Sequence, residues 1–209
     1  MNGGTREGLP LVLLRHGPTD WNEAGRIQGR SDRPLSEAGR ARVRGWTLPV
    51  DLAGYRWLTS PLARAVETAA LLGHGEAAVE AALIEMHWGT WEGWTLEQLR
   101  ARDGTAMVRN EARGLDFQPL GGESPRQVQQ RLAGWLARVA QDGVPSVAVS
   151  HKGVIRALYA LASGWDMTGE PPVKLQWEAA HRFRLDAAGR PGVAALNIPL
   201  HAAPARQAP

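Results

Sequence analysis

Cysteine is absent from the 209-residue chain, which excludes disulfide bonds and thiolate metal sites. No apolar run approaches the ~18 residues that a membrane-spanning helix needs. Residues 1–8 are polar and rich in glycine, without the apolar segment of a secretory signal peptide. We therefore expect a cytoplasmic protein with no membrane partner and with flexible ends at residues 1–8 and 201–209.

Lysine is scarce, since Lys152 and Lys174 are the only two in the chain. Arginine supplies nearly all the positive charge, so the isoelectric point is about 9.9 although the net charge is only +3. The arginines in residues 40–44 could indicate nucleic-acid binding. Their charges spread around a predicted helix, however, and no aromatic side chains for base stacking accompany them. We therefore expect no nucleic-acid partner.

The composition fits one soluble domain, because 44% of the residues are hydrophobic and 22% are charged. We assign residues 9–200 to a single domain, with a polar insertion at about 88–120 that lies over the site. Predicted strands alternate with predicted helices along the chain, which favours an α/β fold. The expected architecture is a three-layer α/β/α sandwich with a mainly parallel central sheet.

Local patterns give the expected elements. An uncharged apolar run at 9–14 predicts a buried strand that ends at the turn Gly17-Pro18. Ser36 can cap a helix that runs to about residue 45, and two capping boxes occupy residues 95–98 and 124–127. Ser60-Pro61 predicts a capped helix over 62–72. Further strands are expected at 55–59, 81–86 and 144–150, a helix at 154–163, and a closing hairpin formed by 175–185 and 193–198.

Chemically active side chains stand where several of these elements begin or end. Arg15 and His16 follow the first strand, Arg64 lies in the first turn of a helix, Glu85 ends a predicted strand, and His151 follows another. Open α/β sheets bind their ligands at the carboxyl ends of the strands. Two arginines and two histidines that converge there predict an anion site with a nucleophile or an acid–base group.

Four stretches of the chain resemble the signature of the histidine phosphatase superfamily, which contains cofactor-dependent phosphoglycerate mutases and many small phosphatases. They are LLRHGPTDWN at 13–22 with GRIQG at 25–29 and PLSEAG at 34–39, SPLARAVET at 60–68, EMHWGTWEG at 85–93, and VSHKGVIR at 149–156. Pro18 departs from the glutamate that is usual in the family, at a position with no assigned side-chain chemistry.

The resemblance implies a phosphatase that works through a phosphohistidine intermediate. His16 would be the nucleophile and Glu85 the proton donor, while Arg15, Arg64 and His151 would hold the phosphoryl oxygens. The same motifs imply substrate contacts from Asn22, Gln28, Gly29, His87, Trp88 and Lys152. No metal and no cofactor are expected, because the arginines would neutralise the phosphoryl charge.

The catalytic role places two demands on His16. It must be neutral near pH 7, and the nearby charges of Arg15 and Arg64 would lower its pKa from the ordinary value of about 6.5. The ring nitrogen that does not attack must also donate a hydrogen bond to a fixed acceptor, such as a backbone carbonyl.

Two other functions compete with a phosphomonoesterase that acts on a small phosphate ester. A mutase shares the chemistry, but mutases of this family carry an arginine at the position of Met86, a lysine at that of Leu96, and paired arginines that this chain lacks. A non-catalytic phospholigand-binding module would be favoured if His16 or Glu85 were missing, and both are present. The identity of the ester and the formation of a homo-oligomer stay open.

The insertion is expected to choose the ester. Tryptophans at 88, 91 and 94 offer an apolar wall, whereas arginines at 100, 102, 109 and 113 offer charge. The set that faces the site would decide between bulky and acidic esters.

Overall fold

The structure, a computed structural model, describes residues 8–200. The two ends for which flexibility was expected, residues 1–7 and 201–209, lie outside the described residues. One sheet of six strands occupies the centre, in the order β3-β2-β4-β1-β5-β6. The strands are β1 (Leu9–Arg15), β2 (Arg56–Thr59), β3 (Ala78–Val79), β4 (Ser146–Ser150), β5 (Ala179–Leu185) and β6 (Pro191–Pro199).

The sheet is mainly parallel, as expected. β1 pairs in parallel with β4, β4 with β2, and β2 with β3. β5 and β6 form the expected closing hairpin, and β5 joins the sheet antiparallel to β1. β1 therefore lies between two neighbours with its apolar side chains buried on both faces, which explains its continuous apolar sequence.

Helices cover both faces of the sheet and confirm the three-layer sandwich. Leu11 and Leu13 of β1 pack in a core with the last two helices, whereas Val12 and Leu14 pack in a second core with the second and third. The helices are α1 (Asp20–Glu23), α2 (Glu37–Arg44), α3 (Ala63–Leu71), α4 (Leu96–Glu111), α5 (Pro125–Asp142) and α6 (Lys152–Ser163).

Three predicted caps are present. Ser36 accepts a hydrogen bond from the backbone of Gly39 at the start of α2. Capping boxes open α4 at Thr95 and α5 at Ser124. Each satisfies backbone donors that have no partner inside the helix.

The cap predicted at Ser60 is wrong. Helix α3 begins at Ala63, with Leu62 at its N-cap position and no side-chain cap. The Ser60 hydroxyl group accepts a long 3.3 Å hydrogen bond from the Leu62 backbone, and it also contacts His151. The hydroxyl group is therefore part of the site.

The strand predicted at 81–86 is also wrong. A short 3-10 helix spans Ala81–Leu83, and the nearest strand is β3, two residues before it. The carbonyl groups of Ala82 and Ile84 accept hydrogen bonds from the guanidinium group of Arg131 on α5, and not from a neighbouring strand. A side chain thus replaces a strand partner, which an apolar pattern does not reveal.

The predicted insertion contains α4, which bends sharply at Gly104, where φ is 48°. Arg100 and Glu111 form an ion pair of 2.8 Å across the bend, although they would lie about 16 Å apart along a straight helix. The bend breaks the helical periodicity, which explains the weak pattern of this stretch. No helix within residues 8–200 is long and apolar enough to cross a membrane.

Candidate active site

A cavity of about 760 Å³ opens at the carboxyl ends of the parallel strands. It collects side chains that lie far apart in the sequence, as their positions at the ends of elements predicted. Its lining includes Arg15, His16, Asn22, Arg26, Gln28, Gly29, Arg64, Glu85, Met86, Trp88, Leu96, Arg100, Met107, Glu111, Phe117, Lys152, Gly153 and Arg156.

His16 is held in one orientation by backbone contacts. Its backbone N–H donates to Ser150 at 2.9 Å, which extends the pairing of β1 with β4. Its ring atom Nδ1 lies 2.6 Å from the Gly17 carbonyl oxygen, so Nδ1 carries the proton and donates it. The tautomer leaves Nε2 with a free lone pair. The Gly17 carbonyl group is the fixed backbone acceptor that the catalytic role demands.

The pKa of His16 lies well below its usual value, mainly because the ring is buried and then because Arg15 and Arg64 lie nearby. The effect of the two arginines on the pKa of His16 was expected, but burial lowers this pKa more than they do. Both effects disfavour the imidazolium form. His16 is therefore neutral at pH 7 and able to act as a nucleophile.

Arg64 is almost completely buried and is fixed by two carbonyl groups. Its guanidinium group donates to Gly29 at 2.7 Å and to Ser31 at 3.1 Å. The Nε atoms of Arg64 and Arg15 are buried without a partner in the part of the chain that the structure describes. Buried donors of this kind indicate a site for an anion, whose oxygens would accept their hydrogen bonds.

Glu92 holds the loop that fixes Arg64, a role that was not predicted from the sequence. Its carboxylate accepts hydrogen bonds from the backbone N–H groups of Arg30 at 2.9 Å and Ser31 at 2.8 Å. The Ser31 hydroxyl group donates to it at 2.6 Å, and the Trp88 backbone at 3.2 Å. Glu92 therefore connects the third motif to the first one and sets the carbonyl groups against which Arg64 rests.

His151 lies beside His16, with ring centroids 5.1 Å apart. Its Nε2 atom contacts the Ser60 hydroxyl group at 2.7 Å, while its buried Nδ1 has no partner among the described residues. Burial, His16 and Arg64 all lower its pKa. Ser60 thus orients the ring that was expected to contact a phosphoryl oxygen.

Glu85 reaches the site from an irregular segment and is nearly fully buried. Its two carboxyl oxygens accept from the backbone N–H groups of Met86 at 2.7 Å and Gly153 at 3.2 Å. A side chain at position 153 would place its Cβ only 2.5 Å from the nearer oxygen and would displace the Glu85 carboxyl group. Burial raises the pKa of Glu85, and the two backbone hydrogen bonds and Arg64 oppose the rise.

The segment that carries Glu85 is fixed from α5. Arg131 donates to the Ile84 carbonyl oxygen at 2.6 Å and pairs with Glu123 at 3.1 Å. Glu123 in turn accepts from the His87 backbone at 3.0 Å and pairs with Arg30 at 3.1 Å. These ion pairs hold the segment that carries Glu85 in place without a regular strand.

The structure brings five of the six expected substrate contacts to the cavity: Asn22, Gln28, Gly29, Trp88 and Lys152. His87 is not among the residues that line it, because its ring turns toward Glu92 at 3.8 Å. Geometry therefore gives no support to a substrate contact from His87.

Arg26 and Arg156 also line the cavity and were missed. Arg156 stands four residues after Lys152 on α6, and this helical spacing was a signal that could have revealed it. Arg26 donates to the Gly93 carbonyl oxygen at 2.8 Å, a contact across 67 residues that no local pattern reveals.

Within the described residues, no group of three His, Asp or Glu side chains could hold a metal ion. The donors at the centre of the cavity are arginine and histidine nitrogens. Such a set suits a phosphate group and not a hard cation, which prefers carboxylate oxygens.

Comparison with known proteins agrees with this geometry. Residues 11–197 match the model of the histidine phosphatase superfamily, branch 1. A glucosyl-3-phosphoglycerate phosphatase of Mycobacterium tuberculosis is 35% identical over 169 residues, which cover 72% of this chain and 73% of that protein. A 2,3-bisphosphoglycerate-dependent phosphoglycerate mutase of Methylobacterium radiotolerans is 32% identical over 191 residues, which cover 85% and 90%.

A solved structure supports the same assignment. The complex of a mycobacterial glucosyl-3-phosphoglycerate phosphatase with inorganic phosphate superposes with a TM-score of 0.76 at 27% sequence identity. The match covers 93% of this chain and all of the other one. The chain therefore belongs to branch 1 of the histidine phosphatase superfamily, and the phosphatases among its relatives identify it as a phosphoric monoester hydrolase.

Proposed function

We propose that the protein hydrolyses a small phosphorylated metabolite through phosphorylated His16, without a metal ion. The observation that carries the proposal is the tautomer of His16, whose Nδ1 donates to the Gly17 carbonyl group and whose Nε2 is free beside two arginines. A neutral, oriented imidazole in an anion site is equipped to attack phosphorus.

In the first step, Nε2 of His16 attacks the phosphorus atom and the ester P–O bond breaks. Arg15, Arg64 and His151 would hold the three non-bridging oxygens, with a further donor from Asn22. Such positioning and charge stabilisation supply most of the catalysis in phosphoryl transfer. Protonated Glu85 would give its proton to the departing alkoxide, and its raised pKa favours that protonated form.

In the second step, water replaces the alcohol. The Glu85 carboxylate would take a proton from the water molecule. At the same time, the oxygen atom of this water molecule attacks phosphorus and the P–N bond breaks. Inorganic phosphate leaves and His16 returns to its neutral form. Glu85 has its proton again, so the cycle is balanced.

Hydrolysis is favoured over mutase activity by the walls of the cavity. Met86 and Leu96 line it at the positions where mutases carry an arginine and a lysine. A mutase must retain its bisphosphorylated intermediate while the phosphoryl group is returned, and these two positions supply no cation for that. The mutase among the relatives shares the chemistry of the site, so mutase activity stays the alternative.

Since small phosphate esters are charged and do not cross membranes unaided, the cytoplasm stays the predicted location.

The test is to trap the intermediate. Enzyme quenched with base and detergent during turnover of a ³²P-labelled ester should carry a label that later acid treatment removes and base does not, and His16→Ala should carry none. Phosphate release should continue in the presence of a chelator. A label on another residue would disprove the nucleophile, and transfer of the label between positions of phosphoglycerate faster than its release would establish the mutase.

A further inference from the structure

The cavity is much larger than a phosphoryl group. Its volume of about 760 Å³ lies in the range of sites that enclose a whole small molecule. Once the groups assigned to the phosphoryl oxygens and to the reaction are set aside, the remaining lining includes Arg26, which the Gly93 carbonyl oxygen holds, and two walls. One wall belongs to α6 and the other to α4, and they differ in charge.

The α6 wall carries two cations, Lys152 and Arg156. They lie four residues apart and therefore on the same face of the helix. Both also border a second cavity of about 190 Å³ that adjoins the first. Neither forms an ion pair with a carboxylate within residues 8–200, and each instead lies over a tryptophan ring. Lys152 is 5.3 Å from the centre of Trp177, and Arg156 is 5.3 Å from the centre of Trp165.

The surroundings of these cations are positively charged. Arg15 approaches the same Trp177 ring at 5.8 Å. Burial, Arg15 and Arg156 lower the pKa of Lys152, whereas Glu85 raises it. Glu170 borders the smaller cavity and is the carboxylate that interacts with Arg156, but not as an ion pair. An anion between Lys152 and Arg156 would relieve this repulsion.

The α4 wall is neutral by comparison. Its cation, Arg100, is paired with Glu111 at 2.8 Å. The other side chains on this side of the cavity are apolar: Leu96, Met107 and Phe117. An acidic group on the substrate would therefore find its partners on α6 and not on the insertion.

We propose that Lys152 and Arg156 form a subsite for a second anionic group, a carboxylate or a phosphate, on the leaving-group side of the ester. This inference rests on the proposed phosphoryl site. The inference extends the proposed function by naming the substrate class, which is a small acidic phosphate ester. A planar guanidinium fork beside a mobile ammonium group is suited to anionic oxygens.

The experiment compares esters that differ in one anionic group. 3-Phosphoglycerate is paired with glycerol 3-phosphate, and butane-1,4-diol bisphosphate with butyl phosphate. Lys152→Met and Arg156→Met retain most of the side-chain length and remove the charge, and Arg156→Lys restores it. Lys174→Met is the matched control, because Lys174 borders only the smaller cavity.

For each pair, we compare kcat/KM for the ester with a second acidic group to kcat/KM for the ester without it. We expect this ratio to fall at least about tenfold in each Met variant. Arg156→Lys should recover part of the ratio, and Lys174→Met should leave it unchanged. A merely structural change would lower both esters alike. The pair that responds identifies the second group as carboxylate or phosphate, and unchanged ratios for both pairs would overturn the subsite.

A binding measurement separates this inference from the proposed function. Calorimetry compares 4-phosphonobutyrate with butylphosphonate, neither of which can be hydrolysed. If the wild type hydrolyses no ester but prefers 4-phosphonobutyrate, and Lys152→Met removes that preference, the subsite stands and the proposed function fails. If the wild type hydrolyses esters but shows no such preference in binding or turnover, the proposed function stands and the subsite fails.

Discussion

The phosphoryl pocket and the α4 wall of the same cavity are built in different ways. In the pocket, partners distant in sequence fix Arg64, through the carbonyl groups of residues 29 and 31, and His151, through the Ser60 hydroxyl group. On α4, the arginines are held by their neighbours, since Arg100 pairs with Glu111 and Arg102 with Asp103. The wall can therefore change by substitution within one segment, whereas the pocket cannot. Under the proposed function, the comparison separates the groups that carry out the reaction from groups that contact the rest of the ester.

Charge follows the same division. The Arg64 side chain of the pocket is almost completely buried, and the Nε atoms of Arg64 and Arg15 have no partner among the described residues. The cations of the insertion are neutralised or lie on the outer surface, as Arg102 does over Trp94 at 5.2 Å. Of the three tryptophans expected to form an apolar wall, Trp88 alone lines the cavity, and of the four arginines Arg100 alone does. The other apolar side chains on this side are Leu96, Met107 and Phe117.

The largest loss of activity is expected from a change at Arg64 in the pocket. Arg64→Lys should lower kcat/KM on the order of a thousandfold or more, equally for acidic and neutral esters, because lysine cannot hold two carbonyl groups and a phosphoryl oxygen together. Steady-state kinetics on the matched esters measures it. Arg109→Gln, on the exposed side of α4, is the control. A loss below about tenfold for Arg64→Lys would remove it from the phosphoryl site.

The next prediction concerns Glu85, which belongs to the pocket but, in the proposed mechanism, acts on the leaving group. Glu85→Gln should reduce turnover of an alkyl phosphate by roughly 10²–10⁴-fold. The loss should be smaller for an aryl phosphate with an acidic phenol, which leaves without a proton. Inorganic phosphate should still bind as a competitive inhibitor. Equal losses on both esters would argue against proton donation.

Glu92 should act on the pocket from a distance. Glu92→Gln should lower kcat/KM by roughly 10–100-fold, as the loss of a group that orients a ligand-binding residue does. The amide cannot accept all the donors of residues 30 and 31, so Arg64 would lose its fixed carbonyl partners. Inhibition by inorganic phosphate should weaken in parallel, with no change in the ratio between esters.

Glu97→Gln, on the exposed surface of α4, is the matched control for that change. A positioning role requires that phosphate inhibition and turnover fall together. A lower melting temperature with normal phosphate inhibition would show that Glu92 only stabilises the fold.

Trp88 should give the smallest effect and the one that depends most on the ester. Its ring packs against Trp91 and Phe117, at centroid distances of 6.2 Å and 5.8 Å. Trp88→Ala should lower kcat/KM a few-fold for small esters and more for esters with bulky apolar leaving groups, because each lost apolar contact costs about 25 cal/mol per Å². Kinetics across an ester series measures this, with Trp88→Phe as the control. A uniform loss would show that the segment is only a lid.

Much of the site could be predicted because its chemistry lies in short strings at element ends. A buried strand followed by Arg15 and His16 is visible in the sequence, and so is an arginine in the first turn of a helix. The segment around Glu85 was placed wrongly because it depends on Arg131, more than 40 residues away on α5. Ser60 was taken for a helix cap because a hydroxyl group before proline usually caps, and its actual partner, His151, is distant in the chain.

Gly153 lets distances along α6 set the length of the substrate. Because its missing side chain lets the Glu85 carboxyl group lie against the helix, the proposed proton donor rests on the same helix as Lys152 and Arg156. The two cations are about 6 Å apart along the helix axis. The protein should therefore distinguish esters by the number of bonds between their phosphorus atom and their second acidic group, so that an ester one methylene shorter or longer is turned over differently.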